Sequence, residues 1–313
     1  MLTLGDDFAR AEELVEMALT EAGSDAGARA EALTVAAFVD VNTGRLDRVD
    51  TRSTEALALF EQLGDSRGAA RILDARAGQR LFQGRIPEAA DMYDRAARLY
   101  LDSGSLLQAG TPRGYRGWCL ALMGRADEGL ADVEEALELE RTLGQTEGEA
   151  ICLLYRGDAL GALGRLDEAR DSITAALATF RRLGVREQAA NAQWMLGKVE
   201  EAAGNLHEAE AITREALETC PDMPFVFSMA ASRLAALLVA RGDLDGAVAF
   251  AQRAASEGIP FARYEADLAR AEVAVLRGEP DADVRVAEAL ALAEAGRCAF
   301  SPIRRRLQEM SQR

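Results

Sequence analysis

The chain has 313 residues, of which 49% are hydrophobic but only 5% aromatic, and it carries a formal net charge of −16. This composition favours closely packed helices rich in alanine and leucine, and it argues against a large β-sandwich. The negative charge excludes a direct nucleic-acid partner, because a phosphate backbone would be repelled.

The first 23 residues predict a partial repeat or an N-terminal cap. Met1 to Gly5 has the pattern of a helix entering its turn, and Asp6 to Glu21 then predicts a helix without its partner. Two interpretations are open. Either the chain has been cut from a longer protein, or a lone helix caps the array.

Residues 24–297 carry a repeat with a period near 40 residues. Turn glycines follow one another at steps of 40, 40, 40, 40, 38 and 36 residues, at Gly44, Gly84, Gly124, Gly164, Gly204, Gly242 and Gly278. Small residues recur seven before, five after and twelve after these glycines, with Val49 as the exception. The last repeat slips by one residue, to Ala282 and Ala289, and the first partial repeat gives Ala11 and Ala18. The two positions after the glycine are two helical turns apart and therefore share one face, so each unit is predicted to be a helix hairpin. Around Gly164 the two helices are expected at roughly 146–162 and 166–182.

Residues 298–313 predict a C-terminal capping helix. Ser301 is a favourable N-cap and Pro302 suits the first turn, so the helix is expected over Ile303 to Met310. The trio Arg304-Arg305-Arg306 is interpreted as a solvated face of this helix.

The small residue, the turn glycine and the two later alanines stand at the relative offsets of the tetratricopeptide repeat family, which the chain resembles over nearly its whole length. The unit is longer than the usual one of about 34 residues by about one to two turns. Two stretches, ALALFEQLGDSRGAA (Ala56 to Ala70) and ALATFRRLGVREQAA (Ala176 to Ala190), are similar to the long repeats of large bacterial signalling and transcriptional regulators. The resemblance implies an all-α, right-handed solenoid of about seven stacked antiparallel hairpins, forming a single domain over residues 1–313.

The sequence offers no catalytic constellation. Its one histidine, His207, follows a turn glycine and is interpreted as a solvated turn residue. Neither a phosphate-binding loop nor a nucleophile-elbow motif is present. We therefore expect no enzymatic activity, no cofactor and no metal site.

The sequence also predicts a cytoplasmic protein. No apolar run is long enough to cross a membrane, and a signal-peptide pattern is missing. The spacing of the four cysteines fits neither zinc nor a disulfide framework, which suggests reduced thiols; they are Cys119, Cys152, Cys220 and Cys298.

Candidate ligand-binding residues lie on the first helix of each hairpin, which lines the concave groove in the family that the chain resembles. They stand six, nine or ten residues before a turn glycine and are Tyr115, Trp118, Tyr155, Asp158, Trp194 and Lys198. Aromatic anchors with a few polar groups suit a peptide or small-ligand site. The alternative is that the tryptophans belong to the inter-repeat core and that Asp158 and Lys198 form a surface ion pair.

A ladder of arginines stands eight residues before the turn glycines, at Arg76, Arg116, Arg156 and Arg270. Arg116 and Arg156 are candidate charge partners for a bound carboxylate. The alternative is that the ladder pairs with acids of its own neighbouring helices, such as Asp74, Asp132 or Asp171.

Together these patterns predict a scaffold that binds a protein segment, a peptide or a small effector in its concave groove. Its expected setting is a sensor or interaction module of a bacterial cytosolic regulator, and its partner could be another domain of the same protein. The alternative function is a structural module that forms a homo-oligomer and has no groove ligand.

Overall fold

The computed structural model describes the backbone of residues 8–43, 45–219, 221, 223–257, 259–295 and 301–311. Across these ranges the chain forms sixteen α-helices and no strand, which confirms the predicted all-α class. The helices are α1 Phe8–Ala22, α2 Ala26–Asn42, α3 Leu46–Leu63, α4 Ser66–Phe82, α5 Ile86–Asp102, α6 Leu106–Leu122, α7 Ala126–Thr142, α8 Thr146–Ala162, α9 Leu166–Leu183, α10 Arg186–Ala202, α11 Leu206–Thr219, α12 Pro224–Ala240, α13 Leu244–Ser256, α14 Pro260–Arg277, α15 Ala282–Ala295 and α16 Pro302–Ser311.

The helices pair into seven hairpins, from α2 with α3 to α14 with α15. Each hairpin packs on the next, as expected for a solenoid, and α1 and α16 lie at the two ends. The bounds of α8 and α9 agree with the sequence prediction to within one residue. The expected helix end at Met1 to Gly5 and the turn glycine Gly44 lie outside the described residues.

Glycines end the helices because the chain must there adopt a left-handed backbone conformation. Gly164 has a φ of 76° and Gly184 a φ of 72°. At the turn that contains Gly164, the N–H of Arg165 donates to the carbonyl of Leu160 at 2.9 Å, which satisfies an acceptor at the end of α8. A residue with a Cβ would be strained at these positions.

The recurring small residues are the contact surfaces between helices. A Cβ placed on Gly157 of α8 would lie 2.3 Å from Ile173 Cγ1 of α9, so only glycine fits there. Ala169 and Ala176 of the same hairpin are both fully buried. The pattern weakens at the ends of the array, where Ala18 is exposed and Ala282 is only partly buried. A terminal repeat lacks a neighbour on one side, which explains the difference.

The concave side of the solenoid is closed by contacts between distant repeats. Phe82 of α4 stacks on Phe225 of α12 with the ring centroids 3.9 Å apart. Trp118 of α6 meets Phe261 of α14 edge-on at 6.0 Å. The concave surface therefore packs against itself instead of standing open along the whole array.

Helix α16 covers the segment where the capping helix was predicted, and it packs on α14, α15 and α10. Cys119 and Cys152 are buried free thiols, as expected, whereas Cys220 and Cys298 lie outside the described residues. In the part of the chain that the structure describes, no helix is both long and apolar enough to cross a membrane.

Candidate functional site

Three consecutive repeats bring a tryptophan, an aspartate and a lysine together at the centre of the concave side. Trp118, Asp158 and Lys198 occupy the same position on α6, α8 and α10, because each is 40 residues from the next. Trp118 Nε1 donates to Asp158 Oδ2 at 2.9 Å. The ammonium group of Lys198 forms an ion pair with Asp158 Oδ1. We call these residues, together with Trp194, the central cluster.

Trp194 completes the central cluster from the preceding turn of α10. Lys198 Nζ lies 5.3 Å from the centroid of its ring, within the range of a cation–π contact. The indole Nε1 of Trp194 is buried and has no acceptor among the described residues. A buried N–H without an acceptor costs about 1–3 kcal/mol, so this donor is a place where a ligand oxygen would be stabilised.

A line of aromatic rings extends the central cluster toward the N-terminal repeats. Tyr155 stacks on Trp118 at 4.8 Å and meets Tyr115 at 4.9 Å. Tyr115 in turn stacks on Tyr93 of α5 at 5.1 Å. Burial raises the pKa of Tyr115 to about 12 and also raises that of Tyr155. These hydroxyl groups therefore stay protonated and can donate hydrogen bonds over the whole physiological range.

The central cluster is buried in this conformation. Trp118 is 3% exposed, and Asp158, Trp194 and Lys198 are each 1% exposed. The interpretation of Asp158 and Lys198 as a surface ion pair is therefore wrong, because both side chains are buried. The predicted binding role of the cluster stays a prediction, and it requires that the closed contacts open.

Two members of the arginine ladder pair with acidic residues of the second helices. Arg116 forms ion pairs with Asp132 of α7 and with Asp94 of α5, the latter at 3.4 Å. Arg156 Nε lies 3.2 Å from Glu134 of α7. The structure thus does not bring these two arginines into the central cluster, and their predicted role toward a ligand stays a prediction.

A second group of charges, which sequence reasoning missed, lies on the concave side near the C-terminus. Arg233 of α12 is fully buried between Glu201 of α10 and Glu265 of α14. Arg306 of α16 lies 2.6 Å from Glu201 and 3.1 Å from Glu272 of α14. We call these five residues the C-terminal cluster.

The electrostatics of the C-terminal cluster are set by burial and by close opposite charges. Burial raises the pKa of Glu265 and outweighs the opposing effect of Arg233. Burial would lower the pKa of Arg233, but the carboxylates of Glu265 and Glu201 outweigh it and leave that pKa raised. The guanidinium therefore stays charged and needs both acids.

Two sequence signals could have revealed the C-terminal cluster. Arg233 occupies the position, nine residues before its turn glycine, that Tyr155 occupies in its own repeat, which places it on the concave side. The arginine trio of α16 was interpreted as a solvated face, and this is wrong for Arg306, which is held by Glu201 and Glu272. Of the trio, Arg305 is the exposed member.

Comparisons with known proteins agree with this architecture. Residues 149–222 match the tetratricopeptide repeat family. No curated protein sequence matches the chain. Among the described residues, no group of three or more His, Cys, Asp or Glu side chains could hold a metal ion.

Several solved structures share the fold at low sequence identity. Aspartyl phosphate phosphatase F from Bacillus subtilis has a TM-score of 0.62 and 11% identity, over 89% of this chain and 75% of that one. The Rap conjugation gene regulator of the plasmid pLS20, in complex with the Phr* peptide, has a TM-score of 0.59 and 15% identity, over 97% and 96%. NprR in complex with its cognate peptide NprX has a TM-score of 0.58 and 14% identity, over 85% and 82%.

At these identities the likeness shows the fold and nothing further. The period, the buried small residues, the left-handed turn glycines and the family match over residues 149–222 all agree. The chain is therefore an all-α solenoid, and its residues 149–222 match the tetratricopeptide repeat family.

Proposed function

We propose that the chain is a non-enzymatic scaffold that binds a peptide or protein segment on its concave side, as a sensor module of a bacterial cytosolic regulator. Two neighbours with the same fold, the pLS20 Rap regulator and NprR, were solved with bound peptides. The observation that carries the proposal for this chain is the central cluster, which gathers both tryptophans of the sequence at one place on the concave side.

The ligand site that we propose consists of the central cluster and its neighbours. Trp118, Tyr155 and Tyr115 supply stacked aromatic surface, while Asp158 and Lys198 supply one carboxylate and one ammonium group. An extended peptide offers backbone N–H and C=O groups that match these charges. The residues proposed to bind the ligand are Tyr115, Trp118, Tyr155, Asp158, Trp194 and Lys198, with Arg116 and Arg156 as charge partners at the edge of the site.

Binding would shift the chain between a closed and an open state. In the closed state, the Phe82–Phe225 stack and the Trp118–Phe261 contact cover the central cluster. A peptide that binds only the open state stabilises it by its differential affinity for the two states. The change of curvature is the signal that a neighbouring domain or partner would read.

Tryptophan fluorescence tests this proposal directly, because both tryptophans belong to the proposed site. Peptides selected from a random heptapeptide display library on the full chain would be titrated against the wild type, Trp118→Phe and Trp194→Phe. We expect saturable binding with a red-shifted emission, since opening brings water to both indoles. Arg125→Ala, which changes an exposed arginine of a turn, is the matched control and should bind as the wild type does.

Two outcomes contradict the proposal. If no peptide is retained by the folded chain, the scaffold has no concave peptide site. If peptides bind with unchanged tryptophan emission, and cross-link to the second helices of the hairpins, the site residues named above are wrong.

A second candidate function, self-assembly, is favoured by exposed apolar residues near both ends of the solenoid. Leu14 and Met17 share one face of α1 and are 47% and 53% exposed. Val284 and Leu292 share one face of α15, where they are 59% and 46% exposed. Light scattering would show an oligomer that Met17→Glu dissociates and that Trp118→Phe leaves intact. A monomer at all concentrations would remove this candidate.

A further inference from the structure

Helix α16 does not continue the stack of hairpins but returns to the concave side. Its Arg306 reaches Glu201 of α10, which lies 105 residues earlier in the sequence and two hairpins before α14. Arg306 Nη2 also donates to the carbonyl of Ala236 on α12 at 3.1 Å. A single side chain of α16 therefore contacts three first helices, α10, α12 and α14.

The contacts of α16 form a compact recognition pattern. Ser301, at its N-cap, donates from Oγ to Glu265 Oε1 at 3.3 Å. Ile303 and Leu307 are fully buried and stand four residues apart, on the same face of the helix. In the sequence, Arg306 lies between these two residues and directly precedes Leu307. The surface beneath α16 thus receives two aliphatic side chains and one guanidinium group.

The surface that receives α16 carries an excess of negative charge. Glu201, Glu265 and Glu272 supply three carboxylates of the C-terminal cluster. Arg233 opposes them with one charge from within the repeats, while the nearby Lys198 is already paired with Asp158, so two negative charges stay unbalanced. Arg306 reduces this excess when α16 is in place. Any segment that replaces α16 must therefore also carry a cation, and a guanidinium fork fits two carboxylates better than an ammonium group does.

Helix α16 is too short to be stable without its contacts to the rest of the fold. It has ten residues, which is below the roughly 12–15 residues at which isolated helices become marginally stable in water. Only one face of it is buried, because Arg305, Gln308 and Glu309 are exposed. It is thus a short helix whose stability depends on its docking.

We infer that α16 occupies, in cis, a docking site for a basic helical segment of a partner protein, recognised by an arginine flanked by aliphatic residues three before it and one after it. The inference rests on the proposed function and names a partner for the C-terminal half of the same concave side. The partner displaces α16, and the released helix becomes accessible. Because α16 is tethered, its effective concentration is high, and only a tightly binding partner or a weakened α16 opens the site.

A fluorescein-labelled peptide of residues 301–313 tests the inference on the full chain. Its fluorescence anisotropy would be followed with the wild type, with Arg306→Ala and with Arg305→Ala. We expect Arg306→Ala to bind the peptide at least tenfold more tightly than the wild type, since its own α16 no longer competes. Arg305→Ala is the matched control, because it removes an exposed arginine of the same helix and should behave as the wild type. A peptide that carries R306A should lose most of its affinity.

Amide hydrogen exchange of residues 302–311 gives a second measurement on the same proteins. We expect faster exchange in Arg306→Ala and unchanged exchange in Arg305→Ala. Leu307→Ser serves as a second weakened variant in case Arg306→Ala does not fold, because it loosens α16 and leaves all three carboxylates in place. It should also bind the peptide more tightly than the wild type.

The inference is overturned if the amides of α16 exchange as slowly in the weakened variants as in the wild type. It is also overturned if these amides exchange faster but the variants do not bind the peptide. Either result makes α16 a fixed cap. The outcome is separable from that of the proposed function. Library peptides that shift the tryptophan emission of the wild type, together with weakened variants that do not bind the labelled peptide, would support the proposed function and refute the inference.

Discussion

The central cluster and the C-terminal cluster both hold opposite charges in a buried place, but the charges come from different parts of the chain. In the central cluster, the aspartate, the lysine and the tryptophan that bonds to the aspartate all come from the same position of three consecutive repeats. In the C-terminal cluster, the repeats supply three carboxylates and one arginine, and the remaining cation comes from α16. The first cluster is electrically complete within the repeats, whereas the second is complete only when a separate segment is docked.

The two clusters should differ in how much stability the protein loses when one charge of the cluster is removed. Lys198 and Asp158 are each 1% exposed, so in the closed state water does not solvate a charge left alone there. Glu272 and Glu201 lie beneath a ten-residue helix that can leave, and its departure lets water solvate them. A buried charge that cannot be rehydrated is far more costly than one that can.

The largest effect is expected from Asp158→Asn, which removes the carboxylate of the buried ion pair with the Lys198 ammonium group. Removing one partner of a buried ion pair typically costs about 3–5 kcal/mol, so the free energy of unfolding should fall by about that amount. Denaturant unfolding followed by circular dichroism measures it. Asp127→Asn, at an exposed position of α7, is the control and should change stability by less than about 0.5 kcal/mol. A loss below about 1 kcal/mol for Asp158→Asn would mean that water reaches the central cluster.

Asp74 of α4 extends the comparison to a carboxyl group without a counter-charge effect, because burial alone raises its pKa. Burial raises its pKa from 3.8 to about 7. A raised pKa in the folded state means that its stabilising contribution is complete below about pH 4 and is lost as the pH rises through 7. We therefore expect Asp74→Asn to be more stable than the wild type by about 1–3 kcal/mol at pH 8, with the advantage vanishing toward pH 4. Melting temperatures between pH 4 and 8 check this, and parallel curves for the two proteins would contradict it.

A smaller effect on global stability is expected from Arg306→Ala. Helix α16 lies at the end of the solenoid, so it can detach while the hairpins stay folded, and the exposed carboxylates are then solvated. The free energy of global unfolding should fall by about 1 kcal/mol or less. Denaturant unfolding monitored by the tryptophans, which lie in the central cluster, measures this loss. A loss as large as that of Asp158→Asn would show that the two clusters are equally enclosed.

The smallest effect is expected from Arg156→Ala. Its ion pair with Glu134 lies at the surface, where such pairs contribute about 0–1 kcal/mol. The same unfolding measurement should show a change of about 0.5 kcal/mol or less, and the change should shrink further in 0.5 M salt. A larger, salt-independent loss would place this arginine in the enclosed part of the structure.

The sequence predicted the fold well because the repeat is a local pattern. Gly157 and Ala169 were identified by their offsets from Gly164, and these offsets are enough to define a hairpin and its contact face. The bounds of α8 and α9 followed from the same spacing. Nothing beyond neighbouring repeats was needed for these predictions.

The state of the candidate site could not be predicted in the same way. The sequence placed Trp118 and Trp194 on the concave side. However, Trp118 meets the ring of Phe261, which comes from a repeat much later in the chain. The role of Arg306 depends on where α16 docks, and that is set by Glu201 and Glu272 together. The repeat period predicts contacts between neighbouring repeats, and it does not predict such contacts between distant residues.

The stack of Phe82 on Phe225 changes how the array should unfold. A linear array of repeats unfolds from its ends, with each unit coupled only to its neighbours. Here a contact joins the second hairpin to the sixth, so the repeats between them form a closed loop that cannot fray one at a time without breaking that stack. The molecule should therefore unfold in one cooperative transition across its middle repeats, with independent melting confined to the segments outside the loop.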